Sequence, residues 1–504
     1  MRIDERKAGV VLTYAGQLIR ILVSLIYTPV MLHLLGQNEY GLYQLVYSVV
    51  SYLSLLSLGF GSSYLRFYSR FKVKNEEENI AKFNGMFMII FLSISIICVF
   101  CGIAMVHNIR GIFGSGLTDN EYETARKLMI LMVFNLTITF PNSVFNCFIT
   151  AHEKFLFQKW LIILENVCSP FLTLPLLLMG YGSVGMVTVT TILTILVFIA
   201  NGFFCIKKLS MKFAFIDFQF SVLKEMWVFT FFIFLNQIID QINWSIDKFL
   251  LGRLAGTTTV AIYGIGGQIN SMYLQFSTAI SSVFIPRVNT IVAKEEDSSE
   301  LTDLFIRVGR IQFIVLMMIL SGFIFWGRPF IRIWAGESFS ESYIVSLLLI
   351  IPVTVPLIQN LGIEIQRAKN KHRIRSIIYA CIAVGNIVLS IPLIKVKGAT
   401  GAAIGTALSL TVGNIIFMNW YYHNKIHINI IKFWKNILSI IPALIFPCMT
   451  GIVMMRVVEN TGILSLMVSI VIYMIFYGIS MWLFGLNKNE KNIIMSLINK
   501  IIKN

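Results

Sequence analysis

The chain has 504 residues, of which 57% are hydrophobic and only 13% are charged, and its formal net charge at pH 7 is +16. A mean hydropathy of +0.78 excludes an ordinary soluble protein, because a water-exposed fold cannot shelter so many apolar side chains. The composition therefore predicts an all-α integral membrane protein that crosses the bilayer many times.

Runs of about 20 apolar residues each predict one membrane-crossing helix. There are fourteen of them, so both termini lie on the same side. Lys and Arg concentrate in the two tails and in the loops after even-numbered runs, which places both termini in the cytoplasm. This positive charge is spread over many short segments, so nucleic acid is not an expected partner. The runs are 9–33, 40–64, 84–106, 128–150, 160–180, 184–206, 227–251, 258–285, 311–327, 343–365, 376–394, 398–421, 437–455 and 463–484.

An internal repeat relates the two halves of the chain. Its offset spans an even number of predicted crossings, so both halves have the same membrane orientation and form a parallel repeat. Two six-helix lobes and two additional C-terminal helices follow from this arrangement. Matching pairs at an offset of 217 are Ala151 and Ala368, Lys154 and Lys371, and Pro175 and Pro392; Gly182 and Gly398, and Gly185 and Gly401, match at 216.

Four regions follow from the repeat and the hydropathy pattern. Residues 1–206 form the N-terminal lobe and residues 226–422 the C-terminal lobe. Between them, residues 207–225 interleave lysines with phenylalanines, which predicts an amphipathic linker along the cytoplasmic surface, with a solvated connection as the alternative. Residues 423–504 hold the last two spans and an amphipathic tail.

The seventh span carries a polar stripe. Asn236, Asp240, Asn243 and Asp247 recur at steps of four, three and four, which places them on one face of a helix. A charge at the bilayer centre costs about 2.5 to 3.5 kcal/mol on insertion scales, so the protein interior must compensate for both aspartates. The functional interpretation is a helix that lines a wet cavity; the alternative is polar contact between packed helices.

The first span has a corresponding polar face. Arg20 lies well inside this span, too deep for its side chain to reach a membrane surface easily. Tyr14 and Gln17 share its face, so we predict a substrate cavity lined by Arg20, Tyr14 and Gln17 on one helix and by Asn236 and Asn243 on the other. Asp240 is then a candidate for ion coupling, and a structural Arg20–Asp240 ion pair is the alternative.

Four further charged residues lie nearer the ends of the spans. Asp247 is a second candidate for ion coupling and Lys248 for the substrate cavity, although both are close enough to Gly252 to reach the outer interface. Because neighbours on a helix point about 100° apart, these two need not pair with each other. Glu165 and Glu364 lie towards the cytoplasmic ends of their spans and are candidates for a gate or for loop anchors.

The fourth span adds another polar stripe, formed by Asn135, Thr139, Asn142 and Asn146 beside Pro141. The seven cysteines lie nearly all in apolar runs, which predicts neither disulfides nor a metal site. Nucleotide-binding and hydrolase motifs are missing from the sequence, so neither an enzyme nor an ATP-driven pump is expected.

The pattern resembles the polysaccharide-unit flippases of the Wzx type in the MOP superfamily, which also holds MATE exporters and MurJ-type lipid II flippases. The resemblance rests on the fourteen spans, the parallel repeat, the stripes on the first and seventh spans, and segments such as LLGQNEYGLYQLVYSVVSYLSLLSLGFGSSYLRFY and WSIDKFLLGRLAGTTTVAIYGIG. It implies a two-lobed transporter of the bacterial inner membrane that moves polyprenyl-pyrophosphate-linked glycans by alternating access. It also implies Na⁺, H⁺ or membrane-potential coupling without another cofactor, and contact with other polysaccharide-assembly proteins.

Two alternatives come from other classes of protein. A MATE-like antiporter of organic cations would need a mostly acidic cavity, and Arg20 argues against it. A membrane polysaccharide polymerase would need a sizeable outer loop with catalytic residues, and the longest predicted outer loop, residues 107–127, is too short to favour one.

Overall fold

A computed structural model of the chain describes residues 5–74, 76–114, 116–216, 220–293, 298–369, 371, 373–457, 462–488, 490–492 and 495. This part of the chain is almost entirely helical and contains no β-strand. The prediction of an all-α protein is therefore confirmed. The chain divides into two compact units, Met1–Gly264 with Ile394–Ala399, and Ile265–Leu393 with Thr400–Asn504.

The first unit is built from long helices that an aromatic core holds together. Its centre is the cluster of Tyr64, Phe83, Phe87 and Phe91, whose rings pack edge-on and tilted. The longest helix bends at Gly36, where φ is +75°, so the first two predicted spans form one kinked element. The helices are α1 Glu5–Val50, α2 Phe60–Val73, α3 Glu77–His107, α4 Ile109–Phe113, α5 Asp119–Ala151, α6 Phe155–Leu178, α7 Gly182–Phe203, α8 Phe220–Ala255 and the first part of α9 Thr257–Ser282.

The second unit packs its helices around one large apolar core that includes Tyr273, Phe305, Trp326 and Tyr473. Several of its helices contain proline, and α14 bends at Gly398, where φ is +51°, within the short stretch Ile394–Ala399 that belongs to the first unit. The remaining helices are α10 Ile285–Ala293, α11 Ser298–Trp334, α12 Ser342–Ile358, α13 Leu361–Ala368, α14 Arg373–Leu410, α15 Asn419–Tyr421, α16 Ile430–Leu438, α17 Pro442–Val457 and α18 Ile463–Ser480.

Eight helices in the described part of the chain are long and apolar enough to cross a membrane, and up to eleven spans result if each bent helix pair counts as one. Large apolar side chains such as Ile26, Phe100, Phe171 and Leu464 are exposed on these helices. Such surfaces are stable next to lipid and not next to water. The chain is thus a multi-pass membrane protein. The count of fourteen spans and the cytoplasmic location of both termini stay predictions.

Local backbone features recur at the offset of the sequence repeat. Gly182 and Gly398 both have positive φ angles, +55° and +51°. Ser210 and His427, 217 residues apart, are left-handed as well, with φ of +53° and +62°. The hydrogen bond from the Met211 amide to the Cys205 carbonyl recurs as that from Ile428 to Tyr422. These paired features are what a duplicated chain would retain.

The connection between α7 and α8 packs against α3 over its described residues. The Ala214 amide donates to the Ala81 carbonyl at 2.9 Å, and Met211 is buried. The segment 211–215 is non-helical, and α8 already begins at Phe220. The surface location of residues 207–225 and the lobe boundaries stay predictions. Most of the predicted amphipathic tail, residues 489–504, lies outside the described residues.

Candidate functional site

The predicted stripe on α8 has two different environments in the structure. Asn236 and Asn243 are half-buried and Asp240 is exposed, whereas Asp247 is only 2% exposed. Asn236, Asp240 and Asn243 each interact with other residues. The four residues therefore lie on one helix face but differ in their solvent exposure.

Asp247 and Lys248 point to different partners, as expected for neighbours on a helix. The Asp247 carboxylate accepts a hydrogen bond from the Tyr263 hydroxyl at 2.7 Å, in a buried position at the start of α9. The Lys248 ammonium donates to the Gln44 side-chain oxygen on α1 at 2.9 Å. A carboxylate and an ammonium inside apolar helices are thus both held by neutral polar groups, which lowers the cost of their burial.

A second polar face of α8, which the sequence analysis missed, packs against the second half of α1 and the segment that follows it. The Gln241 side chain donates to the Ser51 hydroxyl at 2.6 Å and to the Ser245 hydroxyl at 3.0 Å. Gln44 in turn donates to the Tyr40 hydroxyl at 2.8 Å. Gln241, Ser245 and Lys248 recur at steps of four and three, so the helical spacing of the sequence contains the signal. We call these contacts, with Lys248–Gln44, the α1–α8 polar contact.

Arg20 lies on the first half of α1 and is exposed, and it interacts with another residue of the protein. One turn earlier, Gly16 brings α1 close to α6, since an added Cβ would lie 3.3 Å from Ile163. Gln17 is half-buried on the same helix, and the side chain of Tyr14 lies outside the described part of the structure. An exposed guanidinium in an apolar helix needs water or an anion near it.

Glu165 lines a cavity of about 330 Å³ among α5, α6 and α7. Thr139, Asn142 and Asn146 of the predicted fourth-span stripe line it too. The Asn201 amide donates to the Asn142 oxygen at 2.9 Å and to the Asn146 oxygen at 3.2 Å. One half-buried acid among amides makes this a polar pocket inside the first unit.

Glu364 lies on α13 in the second unit. Its carboxylate pairs with Arg367 on the next turn at 2.8 Å, and the Arg367 side chain is 63% exposed. This contact stays within one helix, and the gate or loop-anchor roles of Glu364 and Glu165 stay predictions.

Within the described residues, no group of three or more His, Cys, Asp or Glu side chains is placed to hold a metal ion. The polar groups instead form hydrogen-bonded contacts and cavities between apolar helices. Such an arrangement defines a class: multi-pass membrane proteins of the transporter type, in which polar residues lie along membrane-crossing helices.

Solved structures place the fold within that class. The chain aligns with the lipid II flippase MurJ in an inward closed conformation at a TM-score of 0.71, with 15% identity, covering 95% of this chain and 98% of MurJ. An inward-facing multidrug resistance MATE family transporter of the MOP superfamily aligns at 0.62, with 16% identity over 83% of this chain and 96% of the transporter. At these identities the likeness establishes the fold.

Sequence comparison gives the family. Residues 7–292 match the family described as "Polysaccharide biosynthesis protein", and the chain belongs to it. A Shigella flexneri protein named for O-antigen transport is 18% identical over 77% of this chain and 90% of its own length. A Haloferax volcanii protein named as the flippase AglR is 26% identical over 34% of this chain; the match spans only 37% of AglR. The resemblance noted from the sequence is thereby confirmed.

Proposed function

We propose that the protein is a flippase that moves polyprenyl-pyrophosphate-linked oligosaccharide units across a bacterial inner membrane for surface polysaccharide synthesis. The observation that carries the proposal is membership of the polysaccharide biosynthesis family over residues 7–292. Its relatives are named for flipping and O-antigen transport, and none of those compared is named as an enzyme. The MurJ-like fold supports transport of a lipid-linked substrate.

The proposal includes a topology and a cavity. Fourteen spans with both termini in the cytoplasm would place Arg20 and Asp240 inside the membrane, where their exposure requires a wet environment. Arg20 then meets the pyrophosphate, because a fixed cation in a low-dielectric setting binds it strongly. Tyr14, Gln17, Asn236, Asn243 and Lys248 supply polar contacts for the sugars.

Energy would come from an ion gradient or the membrane potential, with Na⁺ or H⁺ binding at Asp240 or Asp247. Asp240 is exposed in this conformation, whereas Asp247 is buried and its carboxylate accepts a hydrogen bond from the Tyr263 hydroxyl. Glu165 and Glu364 are proposed to act in gating. Assembly proteins that use the delivered glycan are the proposed partners.

The test is a complementation assay in cells that lack their own flippase and receive this gene. Arg20→Ala is expected to insert normally and to leave lipid-linked oligosaccharide on the cytoplasmic leaflet, with at least a tenfold loss of surface glycan. Arg20→Lys keeps the charge and is the matched control, expected to retain part of the activity. Surface glycan at the wild-type level in Arg20→Ala would remove Arg20 from the proposed cavity.

A MATE-like antiporter is the second candidate, because the MATE alignment and the two aspartates of α8 both favour it. Such a protein would lower the accumulation of cationic dyes in cells. We expect no change in dye accumulation on expression, whereas dye export that Asp240→Asn abolishes would replace the flippase proposal.

A further inference from the structure

The first unit contains a cavity of about 430 Å³ whose lining includes no residue of the α1–α8 polar contact. It lies between the last turn of α2, the start of α3, the end of α5 and the connection to α8. In the predicted orientation these helix ends face the cytoplasm. We call this cavity the linker pocket, because the connection 209–212 forms one of its walls.

The linker wall is held in place by buried contacts. Asn84, 1% exposed, donates to the Lys212 carbonyl at 3.1 Å and accepts from the Tyr64 hydroxyl at 2.6 Å. Gly85 allows the close approach, because an added Cβ would lie 2.1 Å from the Ala214 carbonyl oxygen. The backbone of Lys212 is therefore held in place, and its side chain extends from there at the rim of the pocket.

The pocket is lined by more positive than negative charge. Lys72 from α2 and Lys212 from the linker lie at its rim, and Glu77 from α3 opposes them, 4.0 Å from Lys212. Lys154, in the turn after α5, adds a further positive charge close enough to His152 to lower its pKa. The neighbouring residue, Glu153, is acidic. A second cavity of about 360 Å³ shares Leu209 with the linker pocket and is lined by Lys154 and Lys208.

His152 and Tyr68 form the floor of the pocket. The His152 Nδ1 atom lies 2.9 Å from the Phe148 carbonyl oxygen, which only accepts, so Nδ1 carries the proton of the neutral ring. Nε2 then accepts from the Tyr68 hydroxyl at 3.2 Å. Burial lowers the pKa of His152, as do Lys72 and Lys154 to a smaller extent, and the hydrogen bond to the Phe148 carbonyl partly offsets them, so these surroundings favour the neutral ring.

We propose that the linker pocket binds a phosphate group, held by the Lys72 and Lys212 ammonium groups and the Tyr68 hydroxyl. Lysines are point-charge partners for phosphate, and basic pockets between helix ends lie at the level of lipid headgroups. His152 acts through Tyr68 as a positioning residue. When its Nε2 is protonated, it donates to the Tyr68 oxygen and frees the Tyr68 proton for the anion.

At the repeat-related position in the second unit, the lysine side chains bind backbone carbonyl groups of the same unit. Lys369 occupies the place of His152 at the offset of 217, and its ammonium donates to the Ile426 carbonyl at 3.2 Å. Lys371, the counterpart of Lys154, likewise donates to the Lys425 carbonyl at 2.9 Å. Both of these cations donate to backbone oxygens. At the linker pocket, Lys212 instead pairs with Glu77 at 4.0 Å and Lys72 lies over the Tyr68 ring, 5.9 Å from its centroid, and both lysines line an open cavity.

Two sources can supply the phosphate: the pyrophosphate of the lipid-linked substrate or the headgroup of an anionic membrane lipid. Only the first source rests on the proposed function. Binding to the purified full-length protein in detergent distinguishes them, with farnesyl pyrophosphate as the substrate-like probe and short-chain phosphatidylglycerol as the lipid. Short-chain phosphatidylcholine, which is zwitterionic and has no net charge, is the control for detergent-like binding.

Sulfate, whose charge is constant between pH 6 and pH 8, is the reference ligand for calorimetry. Lys72→Gln and Lys212→Gln are each expected to weaken sulfate binding about tenfold, the effect of one charge-assisted contact. Lys74→Gln, an exposed lysine just beyond α2 and outside the pocket, is the matched control and is expected to change it less than twofold. Unchanged sulfate affinity in both pocket variants overturns the proposal.

The pH profile tests His152. Protonation favours binding, so the wild-type affinity for sulfate should rise severalfold from pH 8 to pH 6, and His152→Gln should make the profile flat while binding at pH 8 persists. A wild-type profile that survives in His152→Gln contradicts the role of His152. The unfolding temperature of each variant shows that the fold is intact.

Competition with sulfate identifies the source. Displacement by farnesyl pyrophosphate alone indicates the substrate, displacement by phosphatidylglycerol alone indicates membrane lipid, and displacement by neither overturns a biological phosphate site. Sulfate binding that depends on both lysines, in a protein that fails to deliver glycan in cells, would contradict the proposed function and leave the site standing.

Discussion

The guanidinium of Arg310 on α11 is among the most completely satisfied polar groups in the described chain. It binds the Glu490 carboxylate through two nitrogens at 2.7 and 3.0 Å. Its remaining donors reach the Asn436 and Gly485 carbonyls at 2.8 Å and the Ser439 hydroxyl at 3.2 Å. All five N–H groups are used, and both charged side chains are 6% exposed. This contact ties the residues after α18 to α11.

Arg310→Ala should destabilise the protein by about 3 to 5 kcal/mol, because the buried Glu490 carboxylate loses its counter-charge and keeps only the hydrogen bond from the Asn487 amide. Arg310→Lys keeps the charge and loses the planar fork, so it should fall between the wild type and Arg310→Ala. The measurement is the free energy of unfolding of the purified protein in detergent.

Lys432→Ala is the matched control for this prediction. Its ion pair with Asp303, at 2.7 Å, is solvent-exposed on both sides, so the loss should be below about 1 kcal/mol. Equal losses in the free energy of unfolding for Arg310→Ala and Lys432→Ala would contradict the assignment of Arg310 as a buried contact that stabilises the fold.

Helix α7 begins with a cap supplied by another helix. The Glu39 carboxylate on α1 accepts from the Ser183 amide at 2.6 Å and from the Ser183 hydroxyl at 2.7 Å. A carboxylate at a helix N-terminus satisfies an otherwise unpaired N–H and interacts favourably with the helix dipole. Gly182 adopts a positive φ there, and a Cβ added at this residue would lie 2.2 Å from the Glu39 Oε1 atom.

Glu39→Ala should therefore cost about 1 to 2 kcal/mol of stability and increase hydrogen exchange of the first turn of α7. Glu39→Gln keeps an acceptor oxygen and should cost less. Hydrogen–deuterium exchange measured by mass spectrometry gives the readout, and unchanged exchange at residues 183–186 in Glu39→Ala would show that the cap is dispensable.

The connection between α7 and α8 depends on the contact of its backbone with Gly85. Gly85→Ala places a methyl group where the Ala214 carbonyl lies, so the linker must move away from α3. We expect faster hydrogen exchange at residues 209–216 and weaker sulfate binding to the linker pocket. Gly61→Ala is the control, since its added Cβ would make only an ordinary contact, 3.6 Å from the Cys147 sulfur. Normal exchange in Gly85→Ala would contradict the tight docking.

At the scale of the whole molecule, α8 runs antiparallel to the second half of α1 and to α2. Gln44 faces Lys248, Ser51 faces Gln241, and Phe60 packs against Trp227 with ring centroids 5.9 Å apart. Contacts therefore group α8 with the first unit, although the sequence repeat assigns it to the second half. The two compact units and the two halves of the sequence repeat divide the chain in different ways, so the lobe boundaries stay predictions.

If the protein works by alternating access, the α1–α8 polar contact must change during transport. Cysteines at Ser51 and Gln241, joined by a short bis-thiol reagent in a background without the seven native cysteines, should block delivery of glycan. Each single-cysteine variant treated with the same reagent is the control. Transport that continues in the crosslinked protein would show that this contact is static.

The sequence alone determined the class of the protein and its helical content, because hydropathy and periodicity are properties of neighbouring residues, while the register of its repeat stays a prediction. It also indicated that Asp247 and Lys248 diverge and that Arg20 lies within an apolar span. It missed Arg310, which lies one residue before a predicted span, because the partner Glu490 is 180 residues away.

Only the tertiary structure decided which faces meet. The bond from Tyr263 to Asp247, the packing of Gln241 on Ser51, and the linker pocket around His152 each join segments distant in the sequence. In a chain whose surface and interior are both apolar, hydrophobicity does not mark the buried face. Helix orientation is instead set by the close packing and the few hydrogen bonds that folding brings together.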